Sequence, residues 1–417
     1  MISMILVAPY GLTSTTRFIE AAATLDGVNV GLISHEPAGI LAERMSSDTR
    51  ARIRGFAQID NSFDPDGLEA AVRQVSADLG GRVDALAAVL EPLQESVAVV
   101  RERLGIRGMD VAEARRFRDK SLMKDTLRQA GIPCARHFLA TSVDEALAFA
   151  DTNLPLVVKP PAGAGAVDTF RVDERSQLEG WLASISPGAP SPQRPVLLEE
   201  FVQGEEFSFD SVTIDGREVF HSISSYSPTP LEVMSTPWIQ WTVLFPRHID
   251  GPEFAPIREA GPEALKALGM VTGMSHMEWF RRPDGTIAIS EVGARPPGAQ
   301  ITSLLSYAHG HDFYRAWAAL NAFGTFEPPP RSYAAGAAYL RGQGTGKVAN
   351  IEGVEKIHRE LGDLVVEARL PSIGQQKSSS YEGEGYVILR DPDTEVVADG
   401  LRRIVSEIRV HLDQQEG

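Results

Sequence analysis

Short apolar runs alternate with helical periodicity through the first hundred residues. MILVAP (4–9), VNVGLIS (28–34) and VDALAAVL (83–90) read as parallel strands, and FIEAAATL and LEAAVRQVSADLG between them read as helices. Strand and helix in alternation predict an open α/β sheet over residues 1–110. No GxGxxG follows the first strand, which argues against a dinucleotide there. In RFRDKSLMKDTLRQAGIPCAR, the residues Leu122, Met123, Leu127 and Ala130 form one helical stripe, which Gly131 and Pro133 end.

Next, LPLVVKPPAGAGAVDTFRV (154–172) runs a buried strand into Lys159 and a loop, Gly163 to Gly165, nearly free of side chains. VLLEEFVQGEEFSFDSVTIDG repeats the motif with acids, and residues 207–214 alternate as a strand. HSISSYSPTPLEVMSTPWIQWTVLFPRH (221–248) reads as a long aromatic, proline-stiffened loop, a class that is usually functional or disordered. SHMEWFRRPDGTIAISEVGARPPG (275–298) is two alternating strands about a turn at Pro283 to Gly285. After residue 332, AAGAAYLRG, GDLVVEARL and GEGYVILRD predict a separate β-rich module that closes on the helix EVVADGLRRIVSEIRVHL. Four parts are expected: 1–110, 111–200, 201–331 and 332–417.

Composition narrows the function. The 417 residues carry 56 Asp and Glu against 40 Lys and Arg, a net charge of −16 that repels polyphosphate chains and excludes nucleic acid as a partner. Cys134 is the single cysteine, so neither an internal disulfide nor a cysteine-based zinc site can form. The start has no basic segment before its apolar residues and no run is long enough to span a bilayer. A cytoplasmic enzyme or binding protein with no membrane partner is expected, and a homodimer is compatible with it.

Lys159 beside a glycine-rich loop suits a phosphate, the ammonium as a point charge and the bare backbone as a close neighbour; the competing reading is a snorkelling strand-end lysine. Lys120, Lys124 and Arg128 at four-residue spacing read as a solvated helix face. Glu199, Glu200, Glu205 and Glu206 are either a solvated acidic edge or a strand that reads a flat heterocycle and then a sugar hydroxyl. In the hairpin, a two-residue loop Pro283-Asp284 sets Glu278 opposite Ile289 and His276 opposite Glu291, leaving the two glutamates diagonal on one face. There they can converge on a magnesium pair. A three-residue loop with a glycine bulge sends them to opposite faces. Met277, Trp279, Phe280, Ile287 and Ile289 mark the hairpin as buried, and buried carboxylates want cations. Arg295, pinned by Pro296 and Pro297, is either their salt-bridge partner or a clamp for substrate and phosphate, the clamp being favoured. His276 reads as a structural histidine before a general base. RGQGTGKVA (341–349) has the wrong spacing for a phosphate loop and reads as a hairpin connection.

Taken in order, Lys120, Lys159 with its loop, Glu199 to Glu206, Glu278, and Glu291 followed by Arg295 resemble the ATP-grasp superfamily over residues 115–300, and within it carboxylate–amine ligases of the L-amino-acid ligase type. The resemblance implies an ATP-grasp fold, with an N-terminal open parallel α/β domain and a β-rich C-terminal module. It implies that ATP lies with its phosphates under Lys159, Gly163 and Gly165 and against Lys120. Adenine is then read at Glu199, Glu200 and the backbone to Val202, the ribose is taken by Glu206, and Glu278 and Glu291 hold one or two Mg2+, with Mn2+ as a substitute. The implied reaction joins a small-molecule carboxylate, an amino acid, to an amine through an acyl phosphate, releasing ADP and phosphate. Arg295 and Lys159 act on the reacting groups, with His276 beside the substrate. Apart from the resemblance, the position of segment 221–248 between the acidic strand and the hairpin gives Tyr226, Trp238 and Trp241 one of two readings, an apolar pocket for the substrate side chain or mere packing of the segment. The alternatives are a carboxylase of the biotin or purine-pathway type, or a nucleotide-binding regulator. Gly293 departs from the asparagine that many members place two residues after the second glutamate, which puts the number of metal ions in question.

Overall fold

The computed structural model describes residues 1–163, 169–185 and 188–413. Strands β1 (Ile2–Val7), β2 (Val28–Ser34), β3 (Ile53–Gln58) and β4 (Ala85–Ala88) form a parallel sheet in the order β3-β2-β1-β4. β3 was not expected, because IRGFAQ buries only alternate residues and carries Arg54 on an exposed face. Asp64 caps the helix Pro65–Asp78 by accepting from the Asp66 and Gly67 N–H groups, with Pro65 at its first position. Leu68, Val72 and Val75 of that helix pack on Ile5, Val7 and Ile33.

Two helices follow, Val111–Arg118 and Lys120–Gln129, with Asp119 ending the first and capping the second. Met123 and Leu127 are buried as the stripe predicts, whereas Leu122 and Ala130 face solvent. Strands β5 (His137–Ala140), β6 (Leu156–Lys159), β7 (Phe170–Val172) and β8 (Val196–Glu200) make an antiparallel sheet in the order β5-β8-β6-β7. Its apolar face meets the helices Val143–Asn153 and Arg175–Ser184 through Ala146, Ala150, Leu178 and Leu182.

The remaining strands are β9 (Glu205–Ile214), β10 (Arg217–Ser227), β11 (Trp241–Phe245), β12 (Gly273–Arg281), β13 (Ile287–Gly293), β14 (Ala334–Leu340), β15 (Val348–Glu352), β16 (Val365–Arg369), β17 (Gly385–Asp391) and β18 (Arg409–Leu412). Eight of them form one sheet in the order β13-β12-β9-β10-β11-β14-β17-β16. The structure departs from three expectations. The segment 221–248 is not a long loop: most of β10, the helix Pro230–Ser235 and β11 use its residues, because its aromatics pair into the sheet core. The tail after 332 does not build a sheet of its own from its three long strands. β14 pairs with β11, so β14, β17 and β16 extend the same sheet, while only β15 and β18 pair apart from it. RGQGTGKVA therefore crosses between two sheets and is no hairpin. No helix among the described residues is long and apolar enough to cross a membrane.

Candidate active site

A cavity of about 690 Å³ opens between the β5–β8 sheet and the large sheet, and most of the sequence candidates line it. Lys120, Lys159 and Gly163 form one wall. Neither lysine is solvated in the ordinary way. Lys120 donates to the Gly163 carbonyl at 2.8 Å and pairs with Glu291 at 2.9 Å, and Lys159 pairs with Glu199 at 2.9 Å. Burial alone depresses the Lys159 ammonium, but the Glu199 and Glu291 carboxylates more than offset it and raise its pKa. Gly165 lies outside the described residues. The solvated-face reading of Lys120, Lys124 and Arg128 is overturned: Lys120 and Lys124 are buried, because the helix wedges them against β8 and β13, and only Arg128 stays outside.

The acidic run divides by strand alternation. Glu199 is buried between Lys124 and Lys159, which hold its carboxyl below the usual range against the effect of burial. Glu200 is taken by Arg136 at 2.5 Å and Arg282 at 2.6 Å, leaving Phe201 and Val202 to face the cavity. Glu205 points out to Arg281. Glu206 is buried on the cavity side, and burial together with the charge of Glu278 pushes its carboxyl well above the ordinary value.

The hairpin has neither expected register. Its loop has three residues, with Arg282 N–H donating to the Thr286 carbonyl and Gly285 at φ 83°, so Trp279 pairs with Ile289. A β-bulge at Ser290 then inserts one residue, and Glu278 faces Glu291 directly. The two offsets combine to leave both glutamates on one face, as cross-strand partners. His276 consequently lies opposite Gly293 and not Glu291. Its Nδ1 meets Asp210 Oδ1 at 2.6 Å and its Nε2 lies 3.6 Å from Glu278. Burial depresses the imidazole, Asp210 more than offsets this, and its pKa rises to about 9.

Arg295 pairs with neither hairpin glutamate. Its Nε donates at 2.5 Å to Glu91, on the short helix that follows β4, while the residue still lines the cavity. Glu91 is reached because Gly293 has no side chain: a Cβ built there lies 2.9 Å from Glu91 Oε2. Tyr226, Trp241 and Tyr381, whose rings meet edge to face around Trp241, form an aromatic arm of the cavity lining. Tyr381 was missed by sequence reasoning, as were Glu91, Lys124 and Asp210. Trp238 is corrected: it is 57% exposed and does not line the cavity, since the chain leaves the helix Pro230–Ser235 toward solvent before β11.

Among the described residues, no three or more His, Cys, Asp or Glu side chains are assembled as a metal cage. Glu278 opposite Glu291 is nonetheless suited to magnesium, which takes one or two protein carboxylates and completes its shell with water and phosphate oxygens. Burial first, and then the negative charge of Glu278 and Glu291, raises the Glu206 carboxyl, so the three carboxyls make this part of the cavity favourable to a cation.

Residues 152–303 match the family model of an ATP-grasp domain. Over that segment the chain is similar to ATP-grasp proteins. The L-arginine-specific L-amino acid ligase of Bacillus subtilis is 30% identical over 211 residues, 49% of this chain and 50% of that protein. The alanine–anticapsin ligase of Bacillus subtilis (strain 168) is 27% identical over 230 residues, 51% of this chain and 48% of that one. The chain therefore spans about half the length of these curated relatives in the matched regions. The crystal structure of L-amino acid ligase from Bacillus licheniformis superposes with a TM-score of 0.78 at 19% identity, covering 99% of each chain. The ATP-grasp fold, with its parallel N-terminal sheet and large antiparallel sheet, is thus shared throughout.

Proposed function

We propose that this chain is an ATP-dependent carboxylate–amine ligase acting on an amino acid. The observation that carries the reading is one cavity lined by two buried lysines, a facing glutamate pair, an arginine and an aromatic arm. A nucleotide alone does not need the arm. In this reading Val202 and the preceding backbone meet the adenine and Glu206 the ribose. Lys120 and Lys159 meet the phosphates, Lys120 leaving Glu291 as it does so. Glu278 and Glu291 hold magnesium, which when bound neutralises the transferring phosphoryl group.

A substrate carboxylate oxygen attacks the γ-phosphorus of ATP and ADP leaves. The acyl phosphate so formed is a far better electrophile than the carboxylate, and an amine nitrogen then attacks its carbonyl carbon, releasing phosphate and a proton. Positioning and charge neutralisation supply the acceleration, with Arg295 placed for the substrate carboxylate or the acyl phosphate. Tyr226 and Trp241 take the substrate side chain. His276, held charged by Asp210, places a fixed positive charge beside Glu278.

The test is release of ADP and phosphate with magnesium, screened over amino acids singly and in pairs. Release that requires two substrates supports ligation; release with bicarbonate alone supports the carboxylase reading. Glu291→Gln is expected to fold and to lose more than about a hundredfold in magnesium-dependent turnover. Near-parent turnover in that variant refutes the metal assignment.

A further inference from the structure

The Glu278–Glu291 pairing depends on the bulge at Ser290. Without it, continuing the Trp279–Ile289 register sets Ser290 opposite Glu278 and turns Glu291 to the other face. A bulge disrupts the ladder locally, and β13 is the outermost strand of its sheet, so its outer groups need partners from elsewhere. One helix, Lys120–Gln129, supplies them with the segment that follows it. The Lys124 ammonium donates to the Ser290 carbonyl. The Val292 N–H donates to Met123 Sδ at 3.3 Å. The Ile289 N–H donates to the Pro133 carbonyl at 2.9 Å, and the Ile289 carbonyl accepts from Ala135 at 3.3 Å.

Lys124 is the member of this set that bears on the chemistry. It is fully buried, and its second partner is Glu199 at 3.1 Å, whose other oxygen holds Lys159 at 2.9 Å. A buried ammonium is retained only where it is paired and hydrogen-bonded; here the hydrogen-bond acceptor is the bulge carbonyl, and the ion-pair partner is the carboxylate that orients the phosphate lysine. Simple neutralisation of Glu199 does not require the first contact, since Lys159 already faces that carboxylate.

We propose that Lys124 is a positioning residue that pins the Ser290 bulge and thereby sets Glu278 against Glu291. This rests on the reading of those glutamates as the metal pair. Lys124 touches neither metal nor nucleotide; it ties the register of the metal hairpin to the orientation of Lys159 through one ammonium group.

The test is Mn2+ titration of the ADP-saturated protein, followed by electron paramagnetic resonance of the free ion, on the parent, Glu291→Gln, Lys124→Met and the double variant Lys124→Met/Glu199→Gln. The double variant removes the carboxylate that Lys124→Met leaves undercompensated, and serves where the single variant does not fold. The folded variants are expected to lose at least about tenfold in Mn2+ affinity, the range seen when partners of metal ligands are removed. In Lys124→Met, the metal concentration for half-maximal turnover rises in step, while turnover at saturating metal recovers toward the parent. A folded Lys124 variant that binds Mn2+ as the parent does overturns the proposal. If Glu291→Gln also binds as the parent does, the metal reading itself falls.

Discussion

Gly293 shows how a single missing side chain reorganises this site. Where many ATP-grasp members carry a metal-binding asparagine, this chain has no atoms beyond Cα, and the space is taken by the Glu91 carboxylate that holds Arg295. Gly293→Ala is therefore expected to displace Glu91 and release Arg295, lowering stability by about 1–3 kcal/mol, as overpacking usually does. A double-mutant cycle with Glu91→Gln should show coupling of at least about 0.5 kcal/mol; strict additivity rules out the contact. The two tryptophans expected to share a role separate in the same way. Trp241, 2% exposed and stacked on Tyr339, should cost about 3–5 kcal/mol as Trp241→Ala. Trp238→Ala, at 57% exposure, should stay within about 0.5 kcal/mol in thermal denaturation and leave the substrate ranking unchanged. That Lys120, Lys159, Glu206, Glu278 and Glu291 meet at one cavity was legible because each ends or lies in an apolar strand or heads a helix, and Arg295 because it follows the hairpin and is pinned by two prolines. Glu91 was not, since an acid after a strand in the N-terminal sheet carries no sign of a partner some two hundred positions away. Lys124 was hidden for a different reason: its spacing from Lys120 and Arg128 is that of a solvent face, and only the sheets packed on either side reverse that meaning.

At the scale of elements, alternation and the Pro-Asp-Gly turn sufficed to find the glutamate hairpin, but its register was beyond them. Ser290 has no signature of a bulge; what selects it is the donor presented by another element. The long aromatic segment misled because Pro228 and Pro230 look like loop punctuation, whereas they mark a single crossing between β10 and β11. The β8–β9 junction provides a further test. Gly204 brings the chain against β12 so closely that a Cβ there lies 2.2 Å from the Arg281 carbonyl oxygen, a backbone atom that cannot swing aside. Gly204→Ala should therefore destabilise by about 3 kcal/mol and also weaken ATP binding, because Phe201, Val202 and Gly204 line the cavity. An unchanged urea midpoint would show that the two strands separate easily and that the junction is not rigid.

Across the whole molecule, one carboxylate ties the N-terminal domain to both halves of the remaining chain. Glu367 on β16 accepts from Arg17 of the helix Thr13–Ala23 at 2.5 Å, from Tyr307 of the helix Ile301–His309 at 2.9 Å, and from Tyr386 of β17 at 2.6 Å. Arg17 also donates to Ser303 at 2.8 Å, on the helix whose start, Ile301, lines the cavity. Burial works to raise the Glu367 carboxyl, but the hydrogen bond from Arg17 and those from the tyrosines outweigh it and hold the group below its ordinary value of 4.5. The sign follows from linkage. A carboxyl whose folded pKa is depressed stabilises the native state above the unfolded value, and that contribution is lost as pH falls through the folded one. Glu367→Gln keeps the shape but gives up the charge, so it should cost about 1–3 kcal/mol near neutral pH, the range for hydrogen bonds to charged groups. The gap between parent and variant should then close as the pH is lowered below 4.5. Chemical denaturation from pH 7 to pH 3 measures both stabilities. A difference that stays constant over that range would mean that the carboxylate's charge does not hold the domains together, and that the tyrosine hydrogen bonds alone account for the junction.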